Sequence, residues 1–159
     1  MELNNIGKFY FWSDMKLIQL LKTISEDEFF KKPAENIMSL KELVDHLIIS
    51  YDQWSIGFDM NYIKNLVEKL KTMNKNQSLK MWKESVEKFS SSVESFEECN
   101  VELPLGSEKT MKIKNSDKLF IYTDHGTYHR GQMITIFKLV TGKDAINTDY
   151  YSYLSEQFS

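Results

Sequence analysis

Four segments of this sequence place apolar residues at alternating three- and four-residue steps. That period commits the chain to amphipathic helices packed along a shared apolar seam. Over residues 5–24 the seam residues are Ile6, Phe9, Tyr10, Leu17, Leu21 and Ile24. From Leu40 onward they are Leu40, Leu43, Leu47, Tyr51 and Trp54, with a break at Gly57. The third segment, about Ser78 to Glu97, has the strictest spacing: Leu79, Trp82, Val86, Phe89, Val93 and Phe96. Such a heptad-like seam suits helices crossing at roughly 20°. The fourth segment spans about Asp117 to Thr141, with Ser116 as candidate N-cap and Gly142 as candidate C-terminal cap. Six glycines and two prolines in 159 residues leave few places to interrupt helices of this length.

The connections are equally informative. Pro33 lies in a polar stretch after the first helix. Ser39 and Glu42 have the S-x-x-E spacing of a capping box and mark the start of the second helix. Residues 59–74, with Ile63, Leu66, Val67 and Leu70, read as a helical crossover. Between 100 and 115 the pattern changes to alternation. Val101 and Leu103, then Met111 and Ile113, flank Pro104 and Gly106, which predicts a small irregular β-hairpin. The tail from Asp144 is polar but carries Tyr150, Tyr151, Tyr153, Leu154 and Phe158, enough apolar surface to dock. The expected fold is all-α: a four-helix bundle with long crossover connections and a small β-hairpin-like insertion before the last long helix. One domain is expected over 1–159.

Several function classes are disfavoured by composition. No apolar run exceeds four residues, whereas a membrane-spanning helix needs about 20. No signal-peptide-like region is seen, and the single cysteine, Cys99, excludes an intrachain disulfide or a CxxC site. A cytoplasmic address is therefore expected. Cys99 follows Glu97 and Glu98, a setting that disfavours its thiolate, so it is not taken as a nucleophile. The formal net charge of −3 gives no electrostatic footprint for nucleic acid.

The chemistry rests on three histidines. His125 and His129 stand four residues apart on the fourth helix, so their rings leave one face about 40° apart. Gln132 and Tyr122 project from the same face and are candidates for residues packed behind the rings. His46 lies at the edge of the second helix's apolar stripe, beside Ser50, with Gln53 and Glu42 flanking it. Three imidazoles from two packed helices suit a divalent transition metal such as zinc or nickel and leave coordination positions open. Hydrogen-bonded core histidines are the alternative that position alone leaves open. The HxxxH pair lacks the glutamate of a zinc protease. Arg130, on the flank of the same helix, reads as a structural ion-pair or interface residue. Gly131 is either a point of close helix approach or a tolerated glycine.

The run His125-Gly126-Thr127-Tyr128-His129-Arg130-Gly131-Gln132 resembles the HxxxHRGQ signature of the DinB-like superfamily. The stretch Leu40 to Trp54, with His46 about two turns in, is similar to that family's first histidine segment. Leu139-Val140-Thr141-Gly142 followed by Asp149-Tyr150 resembles its ending, without the prolines often found between those elements. The resemblance implies a four-helix bundle, often dimeric, with a divalent metal held by His46, His125 and His129. It further implies a metal-dependent enzyme for small molecules, of the kind that joins low-molecular-weight thiols to electrophiles. No residue is nominated as general acid or base. A metal-dependent hydrolase and a non-catalytic metal-binding stress protein or dimeric scaffold are the alternatives. For the expected homodimer, Tyr10, Trp12 and the Tyr-rich tail are candidate contributors.

Overall fold

A computed structural model describes residues 3–57, 59–105 and 109–158. The elements are α1 (Leu3–Lys22), α2 (Glu26–Phe30), α3 (Leu40–Ile56), α4 (Met60–Lys71), α5 (Lys75–Glu94), β1 (Asn100–Leu105), β2 (Lys109–Lys114), α6 (Asn115–Thr141) and α7 (Tyr150–Gln157). The bundle is formed by α1, α3, α5 and α6. Helix α5 packs along both α1 and α3, and α6 closes the ring against α3 and α1. The seam residues expected from the period fill the core: Leu17, Leu21, Leu43, Leu47, Tyr51, Trp82, Val86, Phe89 and Val93 are all buried. No described helix is long and apolar enough to cross a membrane.

Local chemistry sets the helix ends. In the α3 capping box the Glu42 N–H donates to Ser39 Oγ at 3.1 Å, and the Ser39 N–H donates to Glu42 Oε2 at 2.8 Å. The same device starts α5 at Asn74 and Gln77, so that helix begins three residues before the expected Ser78 and ends before Phe96. Within the polar connection expected after α1, helix α2 has a capping box of its own at Ser25 and Glu28 and buries Phe29. Ser116 is not the N-cap of α6. Strand β2 runs directly into the helix at Asn115, and Asp117 Oδ2 accepts from the Lys114 N–H, which places Ser116 inside the first turn. Gly57 and Gly142 end α3 and α6 at φ of 78° and 68°, a region that favours glycine.

The hairpin forms as expected, antiparallel, with Val101 opposite Ile113 and Leu103 opposite Met111. Pro104, expected between the strands, is instead part of β1 opposite Thr110. A two-stranded sheet has only edges, so a missing N–H there is tolerated. Gly106 lies outside the described residues.

The tail docks through α7 on α1. Tyr153 packs its ring against Phe9 and Trp12, and Glu156 accepts from Trp12 Nε1 at 3.0 Å and Lys16 Nζ at 2.7 Å. Tyr10, a candidate for a dimer face, is 4% exposed and faces the core, where its hydroxyl bonds the Thr123 carbonyl. Trp12 and Tyr153 are likewise engaged within the chain.

Helices α1 and α5 approach closely at Gly7. A Cβ built there would stand 2.9 Å from the Ser90 carbonyl oxygen. Gly7→Val is therefore expected to destabilise the protein by about 1–3 kcal/mol through forced separation of the two helices. Urea unfolding would measure it, and an unchanged midpoint would contradict the close approach.

Candidate metal centre

The capped start of α3 places His46 about two turns in, facing α6, where His125 and His129 stand one turn apart. The three rings converge. His46 Nε2 and His125 Nε2 are 2.8 Å apart. Ring centroids lie 4.9 Å apart for His46 and His125, 4.5 Å for His46 and His129, and 4.4 Å for His125 and His129. One nitrogen from each ring falls within 4.8 Å of the others. His129 is buried, while His46 and His125 are half-buried and reach solvent.

Electrostatics disfavour protonation of His46 and His125. Burial pushes the His46 pKa down to about 4, and the His129 and His125 rings beside it add to the shift. Burial also lowers His125, helped by His129 and opposed by Asp124. Neutral imidazole is the form that binds a cation. The other nitrogen of His129 is engaged: Nδ1 lies 2.7 Å from Gln132 Oε1, and Gln132 Nε2 donates to the Tyr128 hydroxyl at 2.9 Å. Since Gln132 offers an oxygen there, Nδ1 is the donor, which leaves Nε2 as the nitrogen available to a metal. A donor set of three imidazoles fits a borderline divalent ion such as zinc or nickel.

The other expected residues divide. Gln132 contacts a cluster histidine directly. Tyr122 is buried edge-to-face on Trp54 and has no hydrogen bond to any of the three histidines. Glu42 serves the α3 capping box and pairs with Lys32 at 2.7 Å. Cys99 is exposed.

Arg130 is an ion-pair residue, and its partner is one that the helix pattern did not single out. Its Nη1 donates to Asp14 Oδ1 at 3.3 Å, with the two side chains 2% and 0% exposed. Asp14 Oδ2 also accepts from Tyr51 Oη at 2.5 Å and Trp82 Nε1 at 3.1 Å. One carboxylate from α1 is thus joined to α3, α5 and α6. Burial raises its pKa against the opposing pull of Arg130 and these bonds. A signal was present in the sequence: Asp14 falls between Tyr10 and Leu17 on the apolar seam, where a carboxylate needs a partner.

The family model described as the DinB family matches residues 3–157. The chain belongs to the DinB family. A solved DinB-like protein, YjoA from Bacillus subtilis, is similar to it with a TM-score of 0.67 and 18% identity, over 91% of this chain and 97% of that one. At that identity the match speaks to the fold. No curated protein matches the chain.

In this DinB-family chain the signature run splits into three directions. His125, His129 and Gln132 face the cluster. Arg130 turns into the core, and its guanidinium lies 4.2 Å over the Tyr10 ring. Gly131 faces outward, with no atom within 4 Å of a Cβ built on it, so it mediates no close helix approach within the chain. Gly126 does: its built Cβ would meet the Tyr10 ring at 3.2 Å.

Proposed function

We propose that this DinB-family protein holds one divalent transition metal, zinc or nickel, through His46, His125 and His129, and is a cytoplasmic enzyme that transfers low-molecular-weight thiols to small electrophiles. The observation that carries the reading is the convergence of three imidazoles, one of them hydrogen-bonded from behind by Gln132. When bound, such a cation supplies Lewis acidity that brings a thiol towards its nucleophilic form near neutral pH. The chain's own contribution is orientation. Gln132 aims His129, the Asp14–Arg130 pair fixes α6 within the bundle, and the half-buried His46 and His125 leave the cluster open to small molecules.

Cobalt(II)-loaded protein tests this. Adding cysteine or 2-mercaptoethanol is expected to introduce a sulfur-to-metal charge-transfer band, lost in His46→Ala. A silent spectrum with every thiol would reject thiol transfer. A response confined to carboxylates or phosphate esters would favour hydrolysis, and no response at all would favour a scaffold.

A homodimer is proposed on the outer face of α6. Phe120, Tyr128 and Leu139 are 70%, 62% and 64% exposed there, around Gly131. Two copies crossing antiparallel at Gly131 would set Asp124, seven residues before it, against Lys138, seven after, in both directions. Light scattering is expected to give twice 18.8 kDa for the wild type, and dissociation for Asp124→Lys. A monomeric wild type at high micromolar concentration would overturn the dimer.

A further inference from the structure

Beside the histidine cluster, α3, α6 and β1 border an open slot of about 200 Å3 lined by Ser50, Gln53, Leu103, Ile121, Tyr122 and His125. We propose that this slot binds a small uncharged ligand that both donates and accepts hydrogen bonds, seated against the His125 ring. As the electrophile's seat it rests on the three-histidine reading; as a binding site it does not.

Three groups in the lining are uncommitted. Ser50 and Tyr122 are 7% and 6% exposed. Among the described residues neither their hydroxyls nor the Gln53 side-chain amide has a hydrogen-bond partner. Other buried hydroxyls nearby are satisfied: Tyr51 donates to Asp14, and Ser85 donates to Asp52 at 3.2 Å. Although the two residues are largely buried, their hydroxyl oxygens reach the slot, where water or a ligand completes them. With the Gln53 amide they make a set of donors and acceptors facing one small slot.

The lining also selects against charge. It contains no ionised side chain. Lys118, one turn before Tyr122, is half-buried and is not part of the lining: its Nζ donates to the Trp54 carbonyl at 3.1 Å, and it lies 4.5 Å from the centre of the Trp54 ring and 6.0 Å from that of Tyr122. Asp124 lines a neighbouring groove of about 620 Å3 that shares Ile121 and His125 with the slot. Burial pushes the Tyr122 pKa up to about 12, so its hydroxyl stays neutral. An ion entering the slot would lose water and find no counter-charge. Leu103 and Ile121 supply the apolar walls. The volume is below the roughly 300–1,000 Å3 of drug-sized pockets, which limits the guest to a compact molecule.

Size-matched probes provide the test: benzamide, benzoate and benzylamine, titrated into the full chain while the methyl NMR signals of Leu103 and Ile121 are followed. Benzamide is expected to shift both saturably and to bind at least about tenfold tighter than either ion. Tyr122→Phe and Ser50→Ala preserve shape, and each is expected to weaken benzamide binding several-fold at unchanged thermal stability. Comparable binding of benzoate or benzylamine would overturn the proposal. So would the absence of saturable shifts up to the solubility limit of benzamide, or unaltered binding in both variants. Titrations in chelator-treated protein, with zinc uptake measured separately by elemental analysis, keep the two readings apart. Benzamide binding without zinc uptake removes the metal reading and leaves the slot, and the converse result removes the slot alone.

Discussion

Arg130→Met is expected to destabilise the protein by about 3–5 kcal/mol at neutral pH, because it leaves the buried Asp14 carboxyl without its counter-charge. For a chain of this length that corresponds to a fall in Tm of roughly 6–20 °C. The deficit depends on pH with a definite sign. In the wild type, burial raises the Asp14 pKa, while Arg130 is the largest influence pulling it back. Without Arg130 the folded-state pKa rises further. Between the two folded values the variant holds a proton that the wild type has lost, so its relative stability falls as pH rises through that window. Below the window Asp14 is neutral in both proteins, and the part of the deficit due to its charge disappears. Chemical denaturation at pH 7.5 and at mildly acidic pH would measure this. A variant within about 1 kcal/mol of wild type at neutral pH would show that the pair does not hold the bundle together. Asp14→Leu is not an equivalent experiment, since it also strips partners from Tyr51 and Trp82.

This network also marks where sequence reading stops. Period and capping chemistry are local, so the four long helices, the α3 start and the Gly142 end were legible. The three histidines were legible as a set because two share a helix face and the third sits at a stripe edge. Helix α2 escaped because a five-residue helix has too few turns to display a period, although Ser25 and Glu28 carry a capping box. The α6 start was misplaced because Ser116 is a good cap by type, yet the helix start is set by β2 running into it. Asp14 and Arg130 are 116 residues apart, and no local pattern pairs them. The open hydroxyls of Ser50 and Tyr122 were invisible for the same reason: whether a polar group is satisfied is a property of the packed chain.

His129→Ala is expected to lower zinc and nickel affinity by more than two orders of magnitude, the largest effect on the cluster. His129 is the buried member of the three, and the ring hydrogen-bonded from behind. Its loss removes a donor outright, whereas Gln132→Ala removes only the acceptor that orients it, a change that typically costs about 10–100-fold. Tyr128→Phe acts one step further out, taking away the hydroxyl that Gln132 Nε2 donates to, and should cost least. The predicted order of affinity loss is therefore His129→Ala, then Gln132→Ala, then Tyr128→Phe. Competition titrations against a chromophoric chelator at fixed pH would rank them, with circular dichroism confirming that each variant is folded. Metal affinity that survives His129→Ala would place the ion elsewhere. Unchanged affinity in Gln132→Ala would mean that Gln132 does not orient the ring, and a loss in Tyr128→Phe larger than that in Gln132→Ala would contradict the relay, because the outer hydroxyl can act on the cluster only through the amide between them.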